Sequence, residues 1–171
     1  MPNKFDHAHM RVAEIYSELS SANRLRVGAI VVKDNRIISI GYNGMPAGWT
    51  NECEEIEFIE DSGHLDYEIL VSQGYVFGAD KDTAGWVRRT TKPEVIHAEA
   101  NAIAKLARST ESGEGATMYI THSPCMECSK MIYTAGIKKV FYRDAYRSED
   151  GIDFLKKCKI EVEELCEQEE E

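Results

Sequence analysis

Residues 116–143 read ATMYITHSPCMECSKMIYTAGIKKVFYR, and the order of those letters sets the architecture. ATMYITH carries the β-branched and aromatic residues of a strand, and IKKVFYR repeats the pattern. Between them, SPCMECSKMIYTAG reads as a helix closing on Gly136. Ser123 is a good N-cap, and Pro124 suits the first helical position, where its missing N–H costs nothing.

The same alternation extends in both directions. Upstream, EVIHAEANAIAKLAR is an Ala-rich helix. Downstream, SEDGIDFLKKC predicts a helix and KIEVEEL a last strand. Near the start, KFDHAHMRVAEIYSELSSA repeats Met10, Ala13, Ile15, Tyr16 and Leu19 at helical spacing. VGAIVVK and RIISIGY form a hairpin across Asp34 and Asn35, followed by the Gly/Pro-dense loop NGMPAG. Helices alternating with strands predict an α/β sheet covered by helices on both faces. From about residue 49 to 93 the pattern weakens, leaving an insertion of unassigned shape in which YEILVSQ fits a short helix.

The chain has 171 residues, enough for one domain with its own core. No run approaches the roughly 18 apolar residues of a membrane span. The opening MPNKFDHAHMRVAE lacks the apolar centre of a signal peptide, so a cytoplasmic protein with no membrane partner is expected. Net charge is −10, and EVEELCEQEEE alone holds seven glutamates without a lysine or arginine. A second acidic run, NECEEIEFIED, has six carboxylates between Glu52 and Asp61. This balance argues against gripping nucleic acid along its backbone, while a small anion needs only a few local cations. Five cysteines, Cys53, Cys125, Cys128, Cys158 and Cys166, suggest a metal or plain thiols, not a disulfide framework.

Cys125 and Cys128 fall three apart at a helix start, where the dipole and free N–H groups favour thiolates. The pair alone fits half a zinc site, a redox couple or two small core residues. His97 begins the preceding helix, 28 residues before Cys125 and one strand away. A His–Cys–Cys set leaves one tetrahedral position open for water, as in catalytic zinc sites. Glu99 lies too close to His97 to share one tetrahedral ion comfortably, but its carboxylate can take a proton from water made acidic by zinc. Singly, Glu99 is an ordinary first-turn acid and His97 a core or capping histidine. Together, H-x-E followed by P-C-x-x-C is the signature of zinc nucleobase deaminases.

Four stretches, VGAIVVKDNRIISIGYNGMPAG, HAEANAIAKLAR, GATMYITHSPCMECSKMIYTAGIKKVFY and RDAYRS, resemble the deoxycytidylate (dCMP) deaminases. GYNGMPAG is the specific part, because the zinc motif is shared by a wider superfamily. The resemblance implies a three-layer α/β/α cytidine-deaminase-like fold with a five-stranded mixed sheet. It implies hydrolysis of dCMP to dUMP and ammonia, supplying thymidylate synthesis, in a homo-oligomer that is often a hexamer. A single deaminase domain over residues 1–160 and a disordered acidic tail over 161–171 are expected.

By the same resemblance His97, Cys125 and Cys128 would hold one Zn2+ per chain, and Glu99 would move protons. Asn43 would meet the substrate sugar, or else it is an asparagine tolerated in a left-handed turn. Tyr146 would lie near the substrate, or is an ordinary half-buried aromatic. Ala98, Ser123 and Pro124 would line the substrate beside the ligands. Arg24 and Arg26 are candidates for phosphate, Arg26 for the substrate's and Arg24 for a regulator's, although surface arginines are often merely solvated. Family members activated by dCTP and inhibited by dTTP implicate the loop at Gly44 and Met45, with Mg2+ accompanying the triphosphate. Arg108 matches a family arginine tied to subunit contacts, or is simply a cation favoured at a helix C-terminus. The second, structural zinc of some viral members is not expected, since a ligand cysteine falls at Ala22 or Asn23. Cys53 and His64 remain as scattered candidates, while Cys158, Cys166, His7, His9 and His122 are read as non-ligands.

Three rival readings stay open. One is another deaminase of this fold, acting on cytidine, guanine, a riboflavin precursor or tRNA adenosine. The second is a zinc module without catalysis, which leaves Glu99 unexplained, and the third a thiol redox protein, which leaves both His97 and Glu99 unexplained.

Overall fold

The computed structural model describes residues 2–60, 66–78, 85–146 and 148–165. His64, Cys166 and the tail beyond Leu165 lie outside the described residues. Helix α1 (Lys4–Ser17) starts at Asn3, whose side chain accepts from Phe5 N while Asp6 accepts from Asn3 N. Strands β1 (Gly28–Lys33) and β2 (Arg36–Tyr42) form the expected hairpin. Its two central residues, Asp34 and Asn35, both have positive φ, 50° and 58°, as the mirror-image turn of a tight hairpin requires.

The core then follows the alternation: α3 (Ala98–Leu106), β6 (Thr117–His122), α4 (Met126–Thr134), β7 (Lys139–Asp144), α5 (Asp150–Lys157) and β8 (Glu161–Glu164). The main sheet is mixed, in the order β2-β1-β6-β7-β8, with β6, β7 and β8 parallel and the other neighbours antiparallel. Strand β8 carries the sheet four residues past position 160, so the ordered domain extends into the stretch assigned to the tail.

Strand parity divides the core into two layers. Ala29, Val31, Met118, Ile120 and Val140 point to one face, where Ala98, Ala102, Leu106, Ile132 and Leu155 of the three later helices meet them. Ile30, Val32, Tyr119 and Phe141 point to the other, under Met10 and Ala13 of α1. The three layers are therefore α, β and α. Gly41 sets the spacing of one of them: a Cβ there would run into the Ala98 carbonyl and would lie 2.6 Å from Ala102 N. No helix among the described residues is long and apolar enough to cross a membrane.

The insertion is a second sheet. Strands β3 (Glu54–Glu60), β5 (Gly85–Thr91) and β4 (Val76–Phe77) pair antiparallel in that order, with α2 (Tyr67–Ser72) between β3 and β4 in the chain. Most of the acidic run thus lies in a ladder with β5, which carries Arg88 and Arg89. Glu57 faces Arg88 and accepts its guanidinium at 2.7 Å, a cross-strand pair of opposite charge.

Candidate metal and catalytic site

Four chain segments end at one edge of the main sheet, because Gly28 pairs with Tyr42 and His122 with Asp144. Open α/β sheets bind ligands outside such strand ends. Beyond this edge lies a cleft of about 430 Å3, within the size range of small-molecule sites.

Helices α3 and α4 both begin at the cleft. His97 is the N-cap of α3 and Cys125 the N-cap of α4, each with extended backbone. The α4 helix therefore starts two residues later than Ser123 and Pro124 would place it. Ser123 is occupied elsewhere: its hydroxyl accepts from Tyr146 N at 2.7 Å, tying the loop before α4 to the one after β7. Gly136, with φ 79°, follows the end of α4 as its sequence position predicts.

His97 Nδ1 lies 3.7 Å from Cys125 Sγ and 3.5 Å from Cys128 Sγ. All three ligand atoms fall within 4.8 Å of one another, and they are the one such group among the described residues. Two thiolates and an imidazole suit Zn2+, so these donors fit that ion. In the free protein, hydrogen bonds from Cys128 and His97 hold Cys125 down to about 3. The complementary bond to Cys125, with burial, pushes Cys128 well above the usual thiol range. The bond to Cys125 raises His97.

Glu99 sits in the first turn of α3, is only 4% exposed and lines the same cleft as His97 and Cys125. Burial raises its carboxyl above the ordinary range, the condition in which a carboxyl can both accept and return a proton. The sequence-predicted constellation is thus assembled: three donors, and a buried carboxyl beside them that is not one of the three.

The other candidates divide. Asn43, Ala98, Ser123, Tyr146 and Arg24 line the cleft. Asn43 has no left-handed backbone, and its amide is built into the fold. Its Oδ1 accepts from Val27 N at 2.8 Å and its Nδ2 donates to Leu25 O at 2.9 Å. Arg26 is not among the cleft residues; its Nε donates to Ala22 O at 3.3 Å. Gly44 exchanges two backbone hydrogen bonds with Ile96, the residue before His97. Met45 packs on Ala22, Cys53 and Val95. Pro124 and Arg108 do not line the cleft. Cys53 and Cys158 are free thiols outside the donor group, and His122 lines the cleft without joining it.

Sequence reasoning missed Glu54 and Thr91. Both line the cleft from the insertion sheet. Glu54, 8% exposed, accepts from Asn23 N, Arg24 N and Asn23 Nδ2. Its partners are mostly backbone groups, which leave no side-chain signal in a sequence.

The model of the cytidine and deoxycytidylate deaminase zinc-binding region matches residues 3–144. The deoxycytidylate deaminase of Enterobacteria phage T4 is 38% identical over 168 residues, covering 90% of this chain and 86% of that protein. Its counterpart in phage T2 is 37% identical over 166 residues, covering 90% and 88%. The crystal structure of the dCMP deaminase from cyanophage S-TIM5, in complex with dCMP and dUMP, is similar at a TM-score of 0.74. It shares 41% identity and covers 96% of this chain and 99% of that one. With a match over most of its length and a buried carboxyl beside the expected zinc donors, the chain belongs to the cytidine and deoxycytidylate deaminase family.

Proposed function

We propose that this chain hydrolyses dCMP to dUMP and ammonia, the activity its phage relatives are named for, and so supplies dUMP for thymidylate synthesis. The observation that carries the proposal is Glu99, buried in the cleft beside His97 and Cys125. A module that only bound zinc would have no use for that carboxyl, which favours catalysis over the binding and redox readings.

His97, Cys125 and Cys128 hold the Zn2+, one ion per chain. When bound it supplies Lewis acidity and lowers the pKa of water toward neutrality. Glu99 takes a proton from the attacking water and delivers protons to the ring nitrogen and the departing amine. Asn43, fixed at Leu25 and Val27, keeps one amide hydrogen and one lone pair for a sugar hydroxyl. Ala98, Ser123 and Tyr146 bound the base.

Activation by dCTP, inhibition by dTTP, Mg2+ with the triphosphate, a hexamer with Arg108 at subunit contacts and a cytoplasmic location extend the proposal on family resemblance. Support for a regulatory loop comes from its attachments. Gly44 is bonded to Ile96, next to His97, and Met45 packs on Ala22 and Val95, which themselves line the cleft. A ligand that moved this loop would move a zinc donor and a cleft wall.

The test is ammonia release from dCMP, CMP, deoxycytidine and guanine, each with and without dCTP or dTTP. Turnover concentrated on dCMP is expected. Faster turnover of guanine or CMP would replace the substrate, and indifference to both triphosphates would remove the regulation.

A further inference from the structure

His122 ends β6 and lines the cleft with its side chain 17% exposed, yet it holds no metal. Its ring is tied down at one nitrogen. Thr121 Oγ1, on a residue 1% exposed, accepts from Gly28 N at 3.2 Å and lies 3.3 Å from His122 Nδ1. A buried hydroxyl needs an acceptor for its own proton, and Nδ1 is the acceptor within reach. The neutral ring therefore carries its proton on Nε2. Burial holds this imidazole below the ordinary histidine range, against the pull of the Asp144 carboxylate, so it is neutral at pH 7.

The Nε2–H is left open. Nε2 lies 3.6 Å from Asp144 Oδ2, too far for a hydrogen bond. That oxygen is already taken, accepting from Arg143 Nε at 3.0 Å and Nη2 at 2.7 Å. Arg143 is itself anchored to Glu14 on α1 at 3.0 Å, which keeps the carboxylate from swinging to the ring. Among the described residues the Nε2–H has no hydrogen-bond partner.

We infer that His122 is a further substrate-binding residue, whose Nε2–H donates to an acceptor oxygen of the bound nucleoside, either the pyrimidine carbonyl or a sugar oxygen. This rests on the deaminase reading above and adds a contact from β6. Asn43 follows β2, and β1 separates β2 from β6 in the sheet, so the nucleoside is held at two distinct points. A ligand that fills the cleft displaces the water on this donor and must replace its hydrogen bond. Ligands with an apolar group there are thereby selected against. Thr121 is a positioning residue, acting through the ring.

The test measures kcat and KM for dCMP and deoxycytidine in the zinc-loaded chain, His122→Leu and His122→Gln. His122→Leu should lower kcat/KM about tenfold for both compounds alike, mostly through KM, with one zinc per chain retained. His122→Gln keeps an N–H donor and should recover most of the loss, which a packing defect would not do. The same comparison on 2-thio-dCMP separates the two acceptors. A penalty that vanishes there assigns the carbonyl, and one that persists assigns a sugar oxygen. Nitrogen NMR of the wild-type ring needs no substitution and should show the Nε2–H tautomer. Unchanged kcat/KM in His122→Leu, or a free ring protonated at Nδ1 alone, would overturn the assignment while the deaminase reading stands. So would a penalty confined to dCMP, since the contact would then not be to the nucleoside. If the wild-type chain turns over neither compound, the deaminase reading itself falls and this assignment with it.

Discussion

The Ser123 hydroxyl accepts a hydrogen bond from the Tyr146 backbone N–H at 2.7 Å, joining the zinc-donor loop to the loop after β7. Ser123 is 4% exposed and Tyr146 40%, so Ser123→Ala leaves that amide without its partner at a part-buried position. The expected cost is about 1–2 kcal/mol, or a Tm lower by roughly 2–8 °C. Because Tyr146 lines the cleft, KM should rise as well. An unchanged Tm and KM would show that the bond positions nothing.

Gly151 supports the same loop from α5. A Cβ there would strike the Pro124 carbonyl and lie 2.7 Å from Ser129 Oγ and 3.0 Å from the Cys125 carbonyl carbon. In an open helix, Gly→Ala stabilises by about 1 kcal/mol. Here the sign reverses: Gly151→Ala should destabilise by about 1–3 kcal/mol through overpacking and weaken zinc retention. Thermal melting and metal titration check both. A higher Tm would contradict the close approach of α5.

Zinc binding should depend on pH in a definite direction. Cys128 is raised by its bond to Cys125 and by burial, so in the free protein it carries a proton that the ion must displace. Apparent zinc affinity therefore increases as pH rises, with proton release measurable by calorimetry in two buffers. Cys128→Ser should reduce affinity by about a hundredfold or more and leave turnover at background.

Much of the fold is legible because most of its core strands alternate cleanly or are buried runs. Gly28–Lys33 and Arg36–Tyr42 form the hairpin their letters predict, and the positive φ of Asp34 and Asn35 comes from the dipeptide itself. The insertion was illegible for a physical reason. In β3, Ile56 and Phe58 do alternate with glutamates, but they are 64% and 47% exposed, so the usual link between apolar parity and burial fails there. Its glutamates find their partners only in space, Glu57 opposite Arg88 on β5 and Glu54 at the Asn23 and Arg24 amides.

The site divides in the same way. His97, Glu99, Cys125 and Cys128 declare themselves because donor chemistry and helix-start spacing coincide in the chain. Arg24 could not be separated from Arg26 by sequence, since the distinction depends on Thr91, 67 positions away, and on Glu54, 30 positions away. Helix α4 starts later than its sequence indicates because the Ser123 hydroxyl oxygen accepts from Tyr146 N and caps no helix.

Asn43 bears on structure and binding together. Asn43→Ala leaves Val27 N and Leu25 O unpaired beside the cleft, costing about 2–4 kcal/mol for two groups. Stability and KM should therefore worsen together. A raised KM at wild-type Tm would mean that the two backbone bonds contribute little.

The most direct test of the account is Glu99→Gln, measured for zinc content and for single-turnover deamination of dCMP in the same preparation. The neutral isostere keeps the cleft's shape and the three donors, so one zinc per chain should remain while deamination falls by at least about a hundredfold. Retention of both zinc and near wild-type turnover would contradict the account, because the proton would then be moving without Glu99.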